Sequence, residues 1–417
     1  MKISKRVRSR TVVALDEQGR RSVRGTVALV VGAIILVLAV GAAVVFGLSK
    51  MNGKTEPPVA KTEQPTIKDV EEPLKSELTF AAMGDMLAHD TIVANAKTAG
   101  GYDFKQYFAS IKPLYDGSDV VFCNPETPSA GAAFGISGYP AFNAPTEFAR
   151  DLSVSGCNLI NLATNHMADK GQAALTATLD EWEKLSPLAI AGANRSLEEQ
   201  QKVRYFEKNG IKVAFVAFAD FSNARLPAPY SVNLYHDKDL VTRLLGEARQ
   251  NADVVVVSAH WGTEDSHVVN GAQAATAQSF ADLGADVIIG TGPHVIQKVD
   301  WLDRADGGRT LVWYSIGNML SSQLGADQLT GGVAKFKIVK TEGGIDISDL
   351  SFASTFMSYE WSASEKAAMN LAARRNVKLQ PLAEAGAETE QFRVSVEERK
   401  AKVREWLSGS AEVQVTP

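Results

Sequence analysis

An α/β fold with a mixed or doubled sheet is predicted by three observations. Short runs, apolar at nearly every position, recur at residues 78–84, 119–123, 158–163, 253–259 and 286–290, as strands covered on both faces should be. Helix-spaced apolar residues lie between them: 172–185 carries Leu175, Leu179, Trp182 and Leu185, and 271–283 carries Ala274, Phe280 and Leu283. Each of five polar clusters follows an apolar run: GDMLAH (84–89), NPET (124–127), NLATNHMAD (161–169), HWGTE (260–264) and GPH (292–294). In open α/β sheets ligands bind outside the carboxyl ends of the strands, which is where these clusters fall.

Further elements follow from local chemistry. Two runs, 203–209 and 211–219, meet at Asn209-Gly210, a dipeptide that marks a tight hairpin turn. The run TLVWYSIGNM (310–319) adds another strand. Helical composition returns at 362–384 and 390–408, with Phe392, Val396, Val403 and Trp406 as anchors in the second stretch. Cys123 at the end of one strand and Cys157 near the start of another are expected at opposite edges of a parallel sheet, as buried free thiols. Two cysteines are too few for a disulfide scaffold or a thiolate metal site.

At 417 residues and 45% hydrophobic content the chain can build one large α/β domain with appendages, or two domains. A net charge of -5 and a pI near 5.8 provide no electrostatic footprint for nucleic acid. Residues 25–49 carry no charge and are long enough, at about 1.5 Å per residue, to cross a hydrocarbon core of roughly 30 Å. The flank before them holds eight Lys and Arg side chains against Asp16 and Glu17, so the positive-inside rule leaves residues 1–24 in the cytoplasm and 50–417 outside, held in the membrane by one uncleaved helix; a cleaved signal peptide, the competing reading, usually has a shorter apolar region of about 7–15 residues. Residues 50–76 are rich in Pro, Lys, Glu and Thr and read as a flexible tether. The main domain is expected over 77–341, with 342–417 as a partly helical extension.

The clusters hold four of the six histidines, each beside carboxylates, amides or glycines. Asp85, Glu126, Asn165, His166, His260 and His294 thus stand at successive strand ends, the layout of a metal site built from hard oxygen and imidazole donors. Asn165 and Asp169 also suit a helix N-terminus, and Glu264, four residues past His260, suits a solvated acid equally well. His236 and His267 have no partner pattern and are expected at the surface.

In fixed order, GDMLAH, NPETP, NLATNHMADKG, HWGTE, GPHVIQ and YSIGN resemble the CapA family of capsule and poly-γ-glutamate biosynthesis proteins, also called PgsA-like proteins, over residues 78–339. That family looks related to calcineurin-type metallophosphoesterases, so the resemblance implies a four-layer α/β sandwich and two divalent cations (Mn, Fe, Zn or Mg). It places Asp85 as first metal ligand and Glu126 where the bridging carboxylate stands, with Asn165, His260 and His294 completing the ligands. His166 takes the place of the imidazole that protonates the leaving group, and Asp169 can orient its ring. The last cluster departs from the pattern: Thr291 and Gly292 stand where further histidines occur in relatives, leaving one metal position short of an imidazole or open to water. His89 either approaches the anion or caps the following helix, while Glu264 and Asn318 (of YSIGN) are expected to support the site or the substrate.

Two readings from different classes follow. One is a metal-dependent hydrolase or transferase acting on an anionic extracellular polymer or a phosphoester. The other is a non-catalytic scaffold that helps membrane synthase subunits export or anchor the polymer.

Overall fold

A computed structural model describes residues 76–416. The cytoplasmic segment, the membrane helix expected at 25–49 and the tether up to residue 75 lie outside the described residues. Among the described residues no helix is long and apolar enough to cross a membrane.

Along the chain the first half supplies β1 (Ser76–Met86), α1 (Asp90–Ala96), β2 (Val120–Pro125), α2 (Thr146–Ser155), β3 (Leu159–Asn161), α3 (Gly171–Lys184), β4 (Ala189–Ala191), β5 (Arg204–Lys208) and β6 (Ile211–Ala219). The second half supplies α4 (Lys238–Asn251), β7 (Val254–His260), α5 (Gly271–Asp282), β8 (Val287–Thr291), β9 (Val299–Asp303), β10 (Arg309–Trp313), β11 (Asn318–Leu320), β12 (Thr330–Thr341), β13 (Gly344–Glu360), β14 (Arg375–Pro381), α6 (Val396–Leu407) and β15 (Gln414–Thr416). They form two mixed sheets. The first runs β14-β13-β12-β1-β2-β3-β4, with β11 pairing β1 and β15 pairing β13; the second runs β9-β10-β8-β7-β6-β5. Strands β1 to β4 are mutually parallel, as are β6, β7, β8 and β10.

The central strands are buried on both faces because each sheet is covered twice. Phe80 and Phe122 from the first sheet meet Phe215, Val256, Ile289 and Trp313 from the second in one shared core. On the far side of the second sheet Val216, Phe218, Val255 and Val257 pack under Leu240, Leu244, Ala277 and Phe280 of α4 and α5. On the far side of the first sheet lie α2 and α3, whose buried faces carry Phe148, Leu152, Leu175, Leu179 and Trp182. The order helices, sheet, sheet, helices is the four-layer α/β sandwich expected. The β5–β6 turn has Asn209 at φ 51 and Gly210 at φ 75, the left-handed pair a two-residue hairpin needs.

The tail differs from its helical expectation. Residues 375–381 form β14, since Val377 and Leu379 alternate with more exposed neighbours and bury one face with period two. With β13 and β15 it extends the first sheet. Helix α6 does form, burying Val403, Trp406 and Leu407. His267 is not a free surface residue: its ring stacks on Trp406 at 4.0 Å and its Nδ1 lies 2.7 Å from the Ile296 carbonyl. His236 is exposed and pairs with Asp220.

The cysteines also depart from expectation, forming a disulfide with Cα atoms 5.7 Å apart. Strand β2 continues to Pro125, so Cys123 is mid-strand rather than at an edge. The chain leaving α2 turns at Gly156 (φ 124) and runs back along β2, Asn158 N–H donating to Val121 O at 3.0 Å, which brings Cys157 alongside Cys123. A bridge spanning 34 residues of sequence removes loop entropy from the unfolded chain, so replacing both cysteines by alanine is expected to lower the unfolding free energy by about 2–4 kcal/mol. Denaturation midpoints that coincide for wild type, variant and reduced protein would contradict a bridge that contributes to the fold.

Candidate metal centre

The site starts from a bulge. Register shifts between Met83 and Asp85, so that Asp85 sits opposite Asn124 of β2 and Asn318 of β11. Gly84 permits this because the chain entering β11 passes so close that a Cβ on Gly84 would come within 1.9 Å of Gly317 O. Asp85 N–H donates to that same carbonyl at 3.0 Å. The GD and YSIGN motifs are therefore two halves of one contact. The Asp85 carboxylate accepts from Asn124 Nδ2 at 2.7 Å, and Asn124 Oδ1 in turn accepts from Asn161 Nδ2 at 2.7 Å. Gly292 N–H reaches both Asp85 oxygens at 3.1 Å.

The turn after β8 places His294 in the left-handed region at φ 62, a conformation that costs a non-glycine residue free energy and persists where surroundings fix it. Its Nδ1 lies 3.0 Å from Asp85 Oδ2, 3.1 Å from Asn318 Oδ1 and 3.8 Å from Glu126 Oε2. His260 closes β7, with Nδ1 3.0 Å from Thr291 Oγ1 and Nε2 3.0 Å from Asn165 Oδ1. The same Nε2 is 3.8 Å from Glu126 Oε1.

Glu126 lies between these groups. Its backbone is tied down, N–H donating to Met86 O at 3.0 Å and C=O accepting from Thr164 Oγ1 at 3.0 Å. Its side chain is fully buried, yet neither carboxylate oxygen has a hydrogen-bond partner. Asp85, Glu126 and His294 each offer a donor atom within 4.8 Å of the others, a group able to hold a metal ion. On the other side Glu126 Oε1, Asn165 Oδ1 and His260 Nε2 make a second cluster of hard donors. Carboxylate, amide oxygen and imidazole suit Mn, Mg, Fe or Zn.

The charges show what the cluster lacks. Burial pushes the Glu126 carboxyl well above the usual range, and the Asp85 carboxylate adds to the rise against the opposing pull of His294. Burial also opposes ionisation of Asp85, but the hydrogen bond and charge of His294, with His260 and the Gly292 N–H, together outweigh it and lower the pKa. For His294 burial disfavours the cation, while the Glu126 and Asp85 carboxylates hold its pKa up at about 10. Burial drives His260 down to about 4, leaving a neutral imidazole. A proton on His294 pairs with the Asp85 carboxylate, while burial disfavours a charge on Glu126 unless a further cation accompanies it.

Beside this cluster His166 Nδ1 lies 2.8 Å from Asp169 Oδ2, which also accepts from Phe142 N–H at 2.8 Å. Asp169 thus fixes the ring from a turn ahead of α3. The structure brings Asp85, Glu126, Asn165, His260, His294 and Asn318 together, with His166 and Asp169 adjoining. Glu264 is exposed, near enough for its charge to act on Glu126 and His294 but bonded to neither. His89 touches no member of the cluster directly; its Nδ1 accepts from Ser322 N–H at 3.4 Å. Three participants escape a reading of the sequence. Asn124 and Asn161 lie inside the quoted motifs without a role, and Asn223, from a loop with no motif, donates N–H to Asn165 O at 2.9 Å and sets its Nδ2 3.3 Å from His166 Nε2.

The family model described as bacterial capsule synthesis protein PGA_cap matches residues 79–323, more than half of the chain. The PGA biosynthesis protein CapA of Bacillus subtilis (strain 168) is 28% identical over 268 residues, 63% of this chain and 67% of that protein. The capsule biosynthesis protein CapA of Bacillus anthracis is 28% identical over 269 residues, 59% of this chain and 60% of that protein. Among solved structures, a hypothetical protein from Thermus thermophilus aligns at a TM-score of 0.39 and 16% identity, over 66% of this chain and 99% of that one. The calcineurin-like phosphoesterase YfkN from Bacillus subtilis aligns at 0.38 and 16%, over 67% and 90%. These two likenesses are too distant to carry an argument.

A metal entering this cluster must displace the His294 proton, so protons compete with it up to about pH 10. Apparent Mn²⁺ affinity, measured by titration calorimetry, is expected to rise steadily between about pH 6 and about pH 9, with proton release on binding. Glu126→Gln should lower both metal content and thermal stability. Affinity flat with pH, together with unchanged stoichiometry in the variant, would remove these residues from a metal centre.

Proposed function

The chain belongs to the bacterial capsule synthesis protein PGA_cap family, and from that premise we propose that it is a metal-dependent hydrolase or transferase of capsule polymer production, anchored in the membrane with its α/β domain outside. Its substrate is an anionic polymer such as poly-γ-glutamate, or a phosphoester. One observation carries the catalytic reading: the Glu126 carboxylate is buried with both oxygens unbonded, one facing Asp85 and His294, the other facing Asn165 and His260. A buried carboxylate in that condition is costly and finds its compensation in a bound cation.

Asp85, Glu126 and His294 would hold one cation, and Glu126, Asn165 and His260 would hold a second. Divalent ions bound there would supply polarisation of a substrate oxygen and a water made nucleophilic at neutral pH. The remaining work falls to the chain itself. The Asp85 carboxylate is aimed by Asn124 and Gly292, so the groups that orient it are in place without rearrangement. With His260 Nδ1–H donating its hydrogen bond to Thr291 Oγ1, the tautomer is the one that leaves the Nε2 lone pair free to hold a cation. Thr291 thereby serves the site from a position where relatives can carry histidine. His166, its Nδ1 held by Asp169, delivers a proton through Nε2 to the leaving group.

The disulfide between Cys123 and Cys157 supports the external location, since such bridges persist in oxidising compartments. The uncharged stretch at 25–49 with its basic flank supports the anchor. A scaffold role draws on a different observation. At Gly292, φ is +104 and a Cβ would stand 2.9 Å from Trp261 O, so the backbone leaves no room there for an additional imidazole.

His166→Ala separates the two readings. It is expected to keep metal and fold while lowering turnover of a phosphoester or polymer substrate by about 10²–10⁴-fold, with loss of capsule polymer in cells. Normal polymer output from His166→Ala, alongside lost output from a metal-free His260→Ala, would favour the scaffold.

A further inference from the structure

Arg374 is buried without an acid. Its Nε donates to Leu371 O at 2.9 Å, its Nη1 bonds Ser322 O, and its guanidinium lies over Tyr359 and Trp361, 5.0 and 5.9 Å from the ring centres. Among the described residues no carboxylate pairs with it, whereas the neighbouring Arg375 reaches Glu360 and Glu365. An interior cation costs free energy unless an anion accompanies it. Ser322 is also buried, and its Oγ has no partner. Its backbone N–H donates to His89 Nδ1 at 3.4 Å, which leaves the proton of a neutral His89 on Nε2.

These three donors adjoin the metal-ligating cluster. The Phe142 ring stands edge-on to both His89 (5.3 Å) and His166 (4.6 Å), so the two imidazoles flank one aromatic wall. Ser322 follows β11, whose first residue, Asn318, contacts His294. Arg374 is held against α1 by Asn95, whose Nδ2 donates to its carbonyl at 3.1 Å. His89 is partly exposed and gives the group an opening.

We infer that His89, Ser322 and Arg374 form a second binding site beside the metal-ligating cluster, one that takes an oxyanion of the substrate, carboxylate or phosphate, next to the group that reacts. Its link to turnover rests on the hydrolase reading; its anion binding does not. The charges agree with that placement: after burial, His294, Arg374 and His166 each oppose a positive charge on His89, against a smaller opposite effect of the Leu87 backbone, and its pKa is pushed down to about 3. The cation comes from outside the family-matched residues 79–323, so the tail of this chain supplies substrate recognition that the motif set lacks. A planar guanidinium matches either oxyanion with paired hydrogen bonds.

The test is binding of inorganic phosphate and, separately, glutarate to the metal-stripped full-length chain by titration calorimetry. Saturable binding of one probe per chain is expected, and the probe preferred identifies the oxyanion. Arg374→Gln should weaken it by about tenfold or more, and Arg374→Lys by less. His89→Phe, which keeps the ring against Phe142, and Ser322→Ala, which removes a hydroxyl bonded to nothing, should each weaken it by about 3- to 10-fold with metal content unchanged. They keep the question answerable if Arg374→Gln does not fold. No saturable binding of either probe, or binding unchanged in His89→Phe and Ser322→Ala, overturns the proposal. Arg374-dependent binding in a metal-loaded chain that turns over nothing overturns the hydrolase reading alone.

Discussion

The carboxylate of Glu126 is the constraint on which the centre depends. Removing a carboxylate from water without a hydrogen bond is among the costliest acts in folding, and here it happens to both oxygens of a fully buried residue. The protein does not relieve that cost by rotating the side chain onto a backbone donor. It holds the backbone on both sides, at Met86 O and Thr164 Oγ1, and surrounds the carboxylate with Asp85, Asn165, His260 and His294. Such an arrangement is stable when positive charge is supplied. His294 supplies one unit as a proton, and a pair of divalent ions would supply more.

The fold delivers these donors because its two parallel half-sheets end on the same side. Asp85 and Glu126 come from β1 and the end of β2, Asn165 from the loop after β3, His260 from β7 and His294 from the turn after β8. No single sheet contributes all of them, so the centre exists only when the sheets pack. The close approach of Gly84 to Gly317 and the turn at Gly292 set the final ångström, by allowing backbone where a side chain could not stand. Coupling of the site to the core is therefore direct, and loss of a ligand is felt as loss of stability.

Much of this is legible in the sequence because strand ends announce themselves. An apolar run followed by Asp85, Glu126, Asn165-His166, His260 or His294 marks both an element and the edge where it stops. What is not legible arises from contacts distant in sequence. Asn223 and Arg374 sit in no motif and gain meaning only from what the fold sets beside them. The cysteine pair is misjudged when β2 is ended at Cys123, because the strand runs on and the chain doubles back at Gly156. Strand β14 has a helical composition, and only the period-two burial of Val377 and Leu379 reveals what it forms.

A crystal of the full-length chain grown with Mn²⁺ and measured near the manganese absorption edge addresses the central claim most directly. Two anomalous peaks are predicted, one on each side of the Glu126 carboxylate, the first among Asp85 and His294 and the second among Asn165 and His260. An anomalous map without signal at Glu126, with its oxygens bonded instead to protein groups, would contradict the account.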